Sequence, residues 1–404
     1  MPERTLAIAF FAQDFPPSVG GTHVYNQELA RRLHERGHRV RVFTWSTGKP
    51  GVAESDAAQP FPVHRQPFAR PGRGIAVAGV AEFVERWRPD LAFVSGGSGA
   101  LSGVVRAAAS RLPTVVSVHD LRDKGRRRGP LGRWRVRWRY GFDRAARLTA
   151  NSDHTRRRLL ELGVAAAKVD LVYPGVDTKK FRPDRGAGEL ARKDLGLEGA
   201  QVLLTVSRLA PNKGHLRVLE VLPVLRRRFP RLVYLIVGDG GMRGTLERRT
   251  AELGLAGAVV FTGRVPDVRP HYHACDVFVM ASTPHGAGGK AGEGFGMAYV
   301  EAGACGKPAV ASASGGGGEI VVDGETGCVV DPEDAPALEA ALASLLADPD
   351  RARALGERAR ERVLRFDWEH AVAALERALR AAAGRPGRRE PEVEPEIEPE
   401  RNGL

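Results

Sequence analysis

LAIAFFAQDFPPSVGGTHVYNQELARRLHERGHRVRVFTW, residues 6–45, decides the fold. Residues 6–12 are an apolar run ended by Asp14 and Pro16, with no small-residue cleavage site. They read as a buried first strand and not as a signal peptide. A Pro/Gly loop follows. Then Val24, Leu29 and Leu33 recur at helical spacing up to Gly37, and HRVRVFTW is a second strand. Strand, glycine-bearing loop, helix and strand make one βαβ unit.

Outward from that unit the alternation continues. Helices are predicted near 77–88, 99–111, 130–147 and from 153, with strands at 91–95, 114–119 and 147–151. At 173–184 the text turns polar and Pro/Gly-punctuated (YPGVDTKKFRPD), which marks a domain boundary. The alternation then restarts, with strands predicted at 202–207, 232–238, 259–263, 277–281, 308–312 and 328–330. Helices at 335–347 and 350–364 and a last helix, WEHAVAALERALR, complete the pattern. The expected class is α/β, with two facing doubly wound Rossmann-like domains, residues 1–172 and 185–365. A linker (173–184) joins them and a terminal helix covers 366–383. Ligands of such sheets bind beyond the carboxyl ends of the strands, so the site is expected in the cleft between the domains. EPEVEPEIEPE (390–400) is acidic and Pro-alternating, with too few apolar residues to form a core, and 384–404 reads as a disordered acidic tail.

Composition narrows the classes. A chain of 404 residues that is 43% hydrophobic can bury two cores, and no apolar run is long enough to span a bilayer. Cys275, Cys305 and Cys328 lack metal-site spacing and sit among small apolar residues, which suits a reducing, cytoplasmic setting. The net charge is +13, and residues 121–160 hold fourteen Lys and Arg against three Asp. No nucleic-acid-binding motif accompanies that charge, so no nucleic-acid partner is expected.

The chemistry concentrates in EGFGMAYVEAGACGKPAVAS, residues 293–312. Glu293 precedes a Gly-Phe-Gly turn into a helix, and Glu301 lies eight positions on. A helix N-terminus with close-approaching glycines suits a phosphate. Glu293 can accept from sugar hydroxyls and Glu301 from both hydroxyls of a ribose. In TVSRLAPNKGH (205–215), Arg208 and Lys213 flank a turn between strand and helix, where two cations can hold a diphosphate. Gly20 and Gly21 open the first helix at the mouth of the other domain. His119 ends a strand, placed to bond the transferred sugar or to stabilise positive charge at its anomeric carbon. No Asp-x-Asp ends a strand, so neither metal nor cofactor is expected. The one such string, DPD at 348–350, reads as a helix cap.

With these segments, PSVGG, VHD, YPGVDTKKFRP, VSRLAPNKG, LIVGDG, ACDVFVMAS, EGFGMAYVEA and FDWEHAVAALE make the sequence resemble glycosyltransferase family 4, the retaining GT-B type, over about residues 6–380. Within it, the bacterial phosphatidylinositol mannosyltransferase branch looks nearest. The resemblance implies transfer of a hexosyl group from a nucleoside diphosphate sugar, GDP-mannose or a UDP-sugar, to a hydroxyl acceptor with retention of configuration. It implies that Arg208 and Lys213 bind the diphosphate, Glu301 the ribose and Glu293 the donor sugar. By the same likeness the amides of Gly294, Phe295, Gly296 and Met297 serve sugar and phosphate, and Gly21 approaches from the other domain. His119 matches the catalytic-loop histidine, Val265 contacts the base through its backbone, and the last helix crosses back to the first domain. Two departures bear on donor identity: the glycine-rich approach HGAGGKAGEGFG (285–296), and SGGGGE (314–319), which lacks the usual Pro before its Glu. Rival readings are a sugar-nucleotide epimerase or phosphorylase of the same fold, a transferase of a small soluble acceptor, or a polyanion-binding module.

The basic segment GRRRGPLGRWRVRWRYGFDRAAR (125–147) carries Leu131, Trp134, Trp138 and Phe142 at spacings of three and four. Most of that stripe is expected to pack on the first sheet. The interleaved Arg133, Arg135, Arg137 and Arg139, with Arg126–Arg128, are expected to face an anionic lipid surface, making the protein peripheral on the inner face of the membrane.

Overall fold

The computed structural model describes residues 4–17, 20–45, 50–66, 77–96, 101–119, 121, 129–283 and 293–384. In the first half the strands are β1 (Ala7–Ala12), β2 (Arg39–Trp45), β3 (Val63–Gln66), β4 (Leu91–Ser95), β5 (Thr114–Val118), β6 (Arg147–Ala150) and β7 (Val169–Leu171). Its helices are α1 (Gly21–Glu35), α2 (Val52–Ala57), α3 (Val77–Trp87), α4 (Ser102–Ala109), α5 (Gly129–Tyr140) and α6 (Asp153–Glu161). The second half has β8 (Gln201–Val206), β9 (Leu232–Val237), β10 (Val259–Gly263), β11 (Val277–Met280), β12 (Ala309–Ser312) and β13 (Gly327–Val330). Its helices are α7 (Arg185–Asp194), α8 (His215–Arg228), α9 (Arg243–Glu252), α10 (Arg269–Ala274), α11 (Met297–Ala304), α12 (Gly317–Ile320), α13 (Ala335–Ala347) and α14 (Pro349–Val363), and α15 (Trp368–Ala383) ends the described chain.

Both sheets are wholly parallel and doubly wound. Their orders are β3-β2-β1-β4-β5-β6-β7 and β10-β9-β8-β11-β12-β13. In each, the order reverses beside the first strand of the half, between β1 and β4 and between β8 and β11. Central strands such as β1 and β11 are buried along their whole length, as sheets covered on both faces require. The sequence pattern omitted β3 and β7. Both are short edge strands, only partly buried, so neither carries the apolar run that marked the others.

The basic helix differs more from expectation. It stops at Tyr140, because Gly141 takes a left-handed φ of 75°. Its buried face is Val136 and Tyr140, while Leu131, Trp134 and Trp138 are 59%, 47% and 58% exposed. Only Phe142, beyond the helix, joins the core. The stripe seen in sequence therefore faces outward. Val136 and Tyr140, four apart, form a competing apolar pair, and that pair took the sheet side.

The chain passes between the halves twice, side by side. Val176 N–H donates to the Phe366 carbonyl at 2.8 Å, and Val176 and Asp367 form a parallel bridge. A Cβ on Gly175 would stand 2.5 Å from the Trp368 backbone, so glycine is what lets the crossings touch. After its crossing α15 lies on the first half. Trp368, Val372, Leu375 and Leu379 are buried with Ile8, Phe10 and Leu29. Arg32 of α1 and Arg36, just beyond its end, pair with Glu369, and Arg36 also reaches Glu376 at 2.9 Å. Burying each such apolar side chain contributes about 1.5–3 kcal/mol. The pairs to the exposed Glu369 add about 0–1 kcal/mol each, so packing holds α15 in place and the charges orient it.

Candidate active site in the interdomain cleft

The second half supplies cations and backbone. β8 runs out into Ser207 and Arg208, and a single 3-10 turn, Pro211–Lys213, leads to α8. Gly214 links the turn to the helix at φ 75°, and a Cβ there would meet the Ala281 carbonyl oxygen at 1.9 Å. Only glycine permits this turn, which sets Lys213 at the carboxyl edge of the sheet. Behind it burial, helped by the Lys213 charge, pushes His215 down to about 4, so its ring is neutral in the Ser207 hydrogen bond. Lys213 Nζ forms an ion pair with Glu293 Oε2, joining the two motifs read separately in sequence. Among the described residues none pairs with the exposed Arg208 guanidinium. Val265 follows β10 on the same carboxyl edge, two strands from β8.

The turn of residues 293–296 is strapped down by Gly316 N–H, which donates to the Glu293 carbonyl at 2.7 Å. Phe295 is buried against Tyr173 of the linker and Phe366 of the return crossing, with ring centroids 5.7 and 5.6 Å away. Gly296, at φ 102°, caps α11, whose first turn contains no acidic side chain. Its free N–H groups and positive helix end are thus not neutralised from within the helix. Glu301 projects one turn further on. The buried Tyr272 hydroxyl donates to its Oε2 at 2.7 Å. Burial pushes the Glu301 carboxyl up to about 7, against the lowering effect of that bond. Tyr272 carries no motif and was not among the predicted site residues.

The first half closes over this edge. His119 follows β5, its Nε2 3.1 Å from Ser95 Oγ and 3.3 Å from Ser117 Oγ, with the Tyr25 ring edge-on at 4.6 Å. Its carbonyl accepts from Asn151 Nδ2 at 3.2 Å. A Cβ on Gly294 would lie 2.1 Å from that same carbonyl oxygen, so the turn at 293–296 and the backbone at His119 are in contact. Gly20 and Gly21 start α1 opposite α11, and a Cβ on Gly21 would meet Met297 Cγ at 3.6 Å. Two helix N-termini, one from each half, thus converge on the cleft. Tyr25, Asn26, Ser95, Ser117 and Ser152 complete the surroundings. They escaped sequence reading because single polar residues in apolar strands and helices make no pattern. Of the glycine-rich approach at 285–296, residues 285–292 lie outside the described residues. DPD at 348–350 is a cap: Asp348 accepts from Arg351 N–H at 2.9 Å.

Paired doubly wound halves with two basic groups and facing helix N-termini at the cleft define a GT-B nucleotide-sugar transferase. Residues 189–362 match the family described as glycosyl transferases group 1, and residues 19–180 match glycosyltransferase family 4. The chain is 36% identical over 383 residues to the GDP-mannose-dependent alpha-(1-6)-phosphatidylinositol monomannoside mannosyltransferase of Mycolicibacterium smegmatis, covering 93% of this chain and 97% of that one. It is 32% identical to the D-inositol 3-phosphate glycosyltransferase 2 of Catenulispora acidiphila, covering 88% of each. Among solved structures, Anabaena HepE in complex with UDP and glucose superposes with a TM-score of 0.78 at 23% identity, over 93% of this chain and 99% of that one. WaaG, a glycosyltransferase involved in lipopolysaccharide biosynthesis, superposes at 0.70 and 20% identity, over 93% and 100%. The chain belongs to glycosyltransferase family 4, and it is a glycosyltransferase that uses a nucleotide sugar.

Proposed function

We propose that the enzyme transfers a mannosyl or related hexosyl group from a nucleoside diphosphate sugar to a hydroxyl of a lipid-linked acceptor, with retention of configuration and without a metal. The observation that carries the reading is the convergence of Arg208, Lys213 and the α11 N-terminus at one carboxyl edge, against His119 and the α1 N-terminus of the other half. As the glycosidic bond breaks, negative charge grows on the departing diphosphate. Cations and amides already in place stabilise it with little reorganisation. The Lys213–Glu293 pair suggests an exchange. An arriving diphosphate draws Lys213 away, and the released carboxylate accepts from sugar hydroxyls. Attack from the side of departure retains the anomeric configuration, with a phosphate oxygen taking the acceptor proton.

GDP-mannose is favoured as donor by the activity of the mycobacterial relative at 36% identity. A lipid acceptor is favoured by the same relative and by the outward face of α5. Leu131, Trp134 and Trp138 project there beside the exposed Arg133, Arg135 and Arg139. Trp and Arg suit a headgroup interface, where their apolar bodies enter and their polar ends stay wet. No described helix is long and apolar enough to cross a membrane, so this face would carry the attachment. The second reading, a soluble phosphorylated inositol as acceptor, is favoured by the relative at 32% identity.

Turnover of GDP-mannose and UDP-glucose, each with phosphatidylinositol mannoside vesicles or with inositol phosphate, separates these readings. Vesicle-dependent transfer from GDP-mannose, with an α-anomeric product by NMR, is the expected result. An inverted product would sink the mechanism, and transfer to inositol phosphate alone would move the acceptor to the second reading.

A further inference from the structure

Helix α6 begins at the interface, and its first N–H groups find their partners in the other half of the molecule. Ser152 caps Thr155 N–H at 3.0 Å in the usual local way. The two preceding donors are taken by one carboxylate from across the cleft. Glu319 Oε2 accepts from Asp153 N–H at 2.8 Å, and Oε1 accepts from His154 N–H at 2.6 Å. The Tyr173 hydroxyl, in the linker, donates to Oε2 at 2.9 Å. Burial together with the Glu319 charge holds that phenol well above its usual range, so it stays a donor. Ser152 also donates to the Gly294 carbonyl at 2.6 Å.

Glu319 is tied just as closely to the donor turn. It ends SGGGGE, the segment that lacks the family's proline. A Cβ at Gly315 would stand 2.2 Å from the Glu293 carbonyl oxygen, and one at Gly316 would stand 2.7 Å from that of Gly294. The segment therefore lies flat on the donor turn, and bare glycines make that contact possible. Arg362 of α14 holds the backbone on the far side, donating to the Glu319 and Ile320 carbonyls at 2.7 and 2.8 Å. A continuous path of fixed contacts runs from the turn at 293–296, through 315–316 and α12, to the N-terminus of α6, which follows the Asn151 that binds the His119 carbonyl.

The geometry points to Glu319 as the residue that registers the two halves for transfer: its carboxylate, bound at the positive end of α6 and to the linker tyrosine, sets the donor turn beneath the His119 loop. It touches neither sugar nor phosphate in this role, so it is a positioning residue. The inference rests on the donor site read above. A carboxylate at a helix N-terminus with three donors is a charge-assisted contact, stronger than the neutral bond beside it.

The test uses the full chain carrying Glu319→Ala, Glu319→Gln or Tyr173→Phe, read by small-angle scattering, sugar-nucleotide binding and turnover. Losing charge-assisted bonds across the interface should lower kcat about thirtyfold in Glu319→Ala, while the donor Kd stays within about threefold, because Arg208, Lys213, Glu293 and the α11 amides, which supply most of the donor contacts in this reading, lie in the second half. Its radius of gyration should exceed the parent's before any donor is added. Glu319→Gln keeps one acceptor oxygen and should fall between. Tyr173→Phe removes one donor without emptying space, and gives the same reading should the alanine variant fail to fold. Parental kcat and scattering in these variants would overturn the assignment, as would a donor Kd that weakens as much as kcat. A parent chain that binds no sugar nucleotide would instead refute the donor site, and the scattering comparison would still report on the clamp.

Discussion

The two halves share a strand order, yet their carboxyl edges are built of different materials. In the second half the edge is backbone and fixed charge. Gly214 turns against the Ala281 carbonyl, Gly296 caps α11, and Lys213 is held by Glu293. In the first half the edge is neutral side chains, with Tyr25, Ser95 and Ser117 arranged around His119. Among the described residues, the exposed Arg133, Arg135 and Arg139 of α5 take no part in those contacts. The contrast fits the division of labour proposed above, a diphosphate donor on one edge and a hydroxyl acceptor on the other. A diphosphate carries its charge everywhere and is well held by amides and cations that cannot retreat. A hydroxyl acceptor needs orientation with little charge, and an acceptor in a membrane also needs a surface that brings the edge to it.

The comparison breaks first at the cations. Replacing Arg208 or Lys213 by Ala should lower kcat/KM about a hundredfold, the usual cost of one preorganised charge donor, about 3 kcal/mol. Steady-state kinetics on both variants would check it, and parental values in both would remove the second edge from the chemistry.

Glu301 gives a pH test on the same edge. Burial holds its carboxyl up at about 7, above the ordinary value of 4.5. The protonated form is favoured by folding, so this group's contribution to stability is full below about 4.5 and is lost as pH rises through about 7. Binding runs the other way if the carboxylate accepts ribose hydroxyls. Affinity for the sugar nucleotide should rise about tenfold between about pH 6 and pH 8, as the ionised fraction grows. Glu301→Gln should flatten that profile in calorimetric titrations. A parent profile already flat would show that Glu301 serves Tyr272 and not the donor.

In the first half the expected effects are smaller and lie off the chemistry. Arg133→Ser should weaken binding to anionic vesicles about fivefold at low salt, matching about 1 kcal/mol per basic residue. Trp134→Ser with Trp138→Ser should weaken it further. Thermal stability should change by no more than about 0.5 kcal/mol per site, because these side chains are exposed. Large destabilisation would mean that α5 packs more tightly than its exposure indicates. The smallest effect belongs to the chelator: EDTA should leave turnover unchanged, and loss of activity restored by Mg²⁺ would show that the cations of the second edge are not sufficient.

Much of the architecture was legible because parallel strands covered on both faces must be apolar throughout, and β1, β4, β5, β8, β9 and β11 announce themselves that way. Edge strands β3 and β7 have one side open and lose the signal. The turns that carry the proposed donor residues were legible too, since Gly-Phe-Gly before a helix and a lysine before Gly214 are local geometry written in residue type. Glu319 was seen only as the end of an unusual glycine run. Tyr272, Ser152 and Asn151 were not seen at all, because the contacts that bring them to the site, with Glu301, Gly294 and His119, span at least 29 residues of sequence.

By itself the sequence determined the class, the two-part organisation and the charged turns, because each depends on short-range periodicity or on one backbone conformation. Only the tertiary structure decided which face of α5 is buried, what holds Lys213 and Glu301, and how the halves meet. Two apolar faces on one helix compete for the same sheet, and the winner depends on the shape of the core beneath it. An ion pair or a cap between halves depends on distances that no local pattern encodes. The orientation of the basic helix and the grip of Glu319 on α6 are therefore properties of the assembled chain.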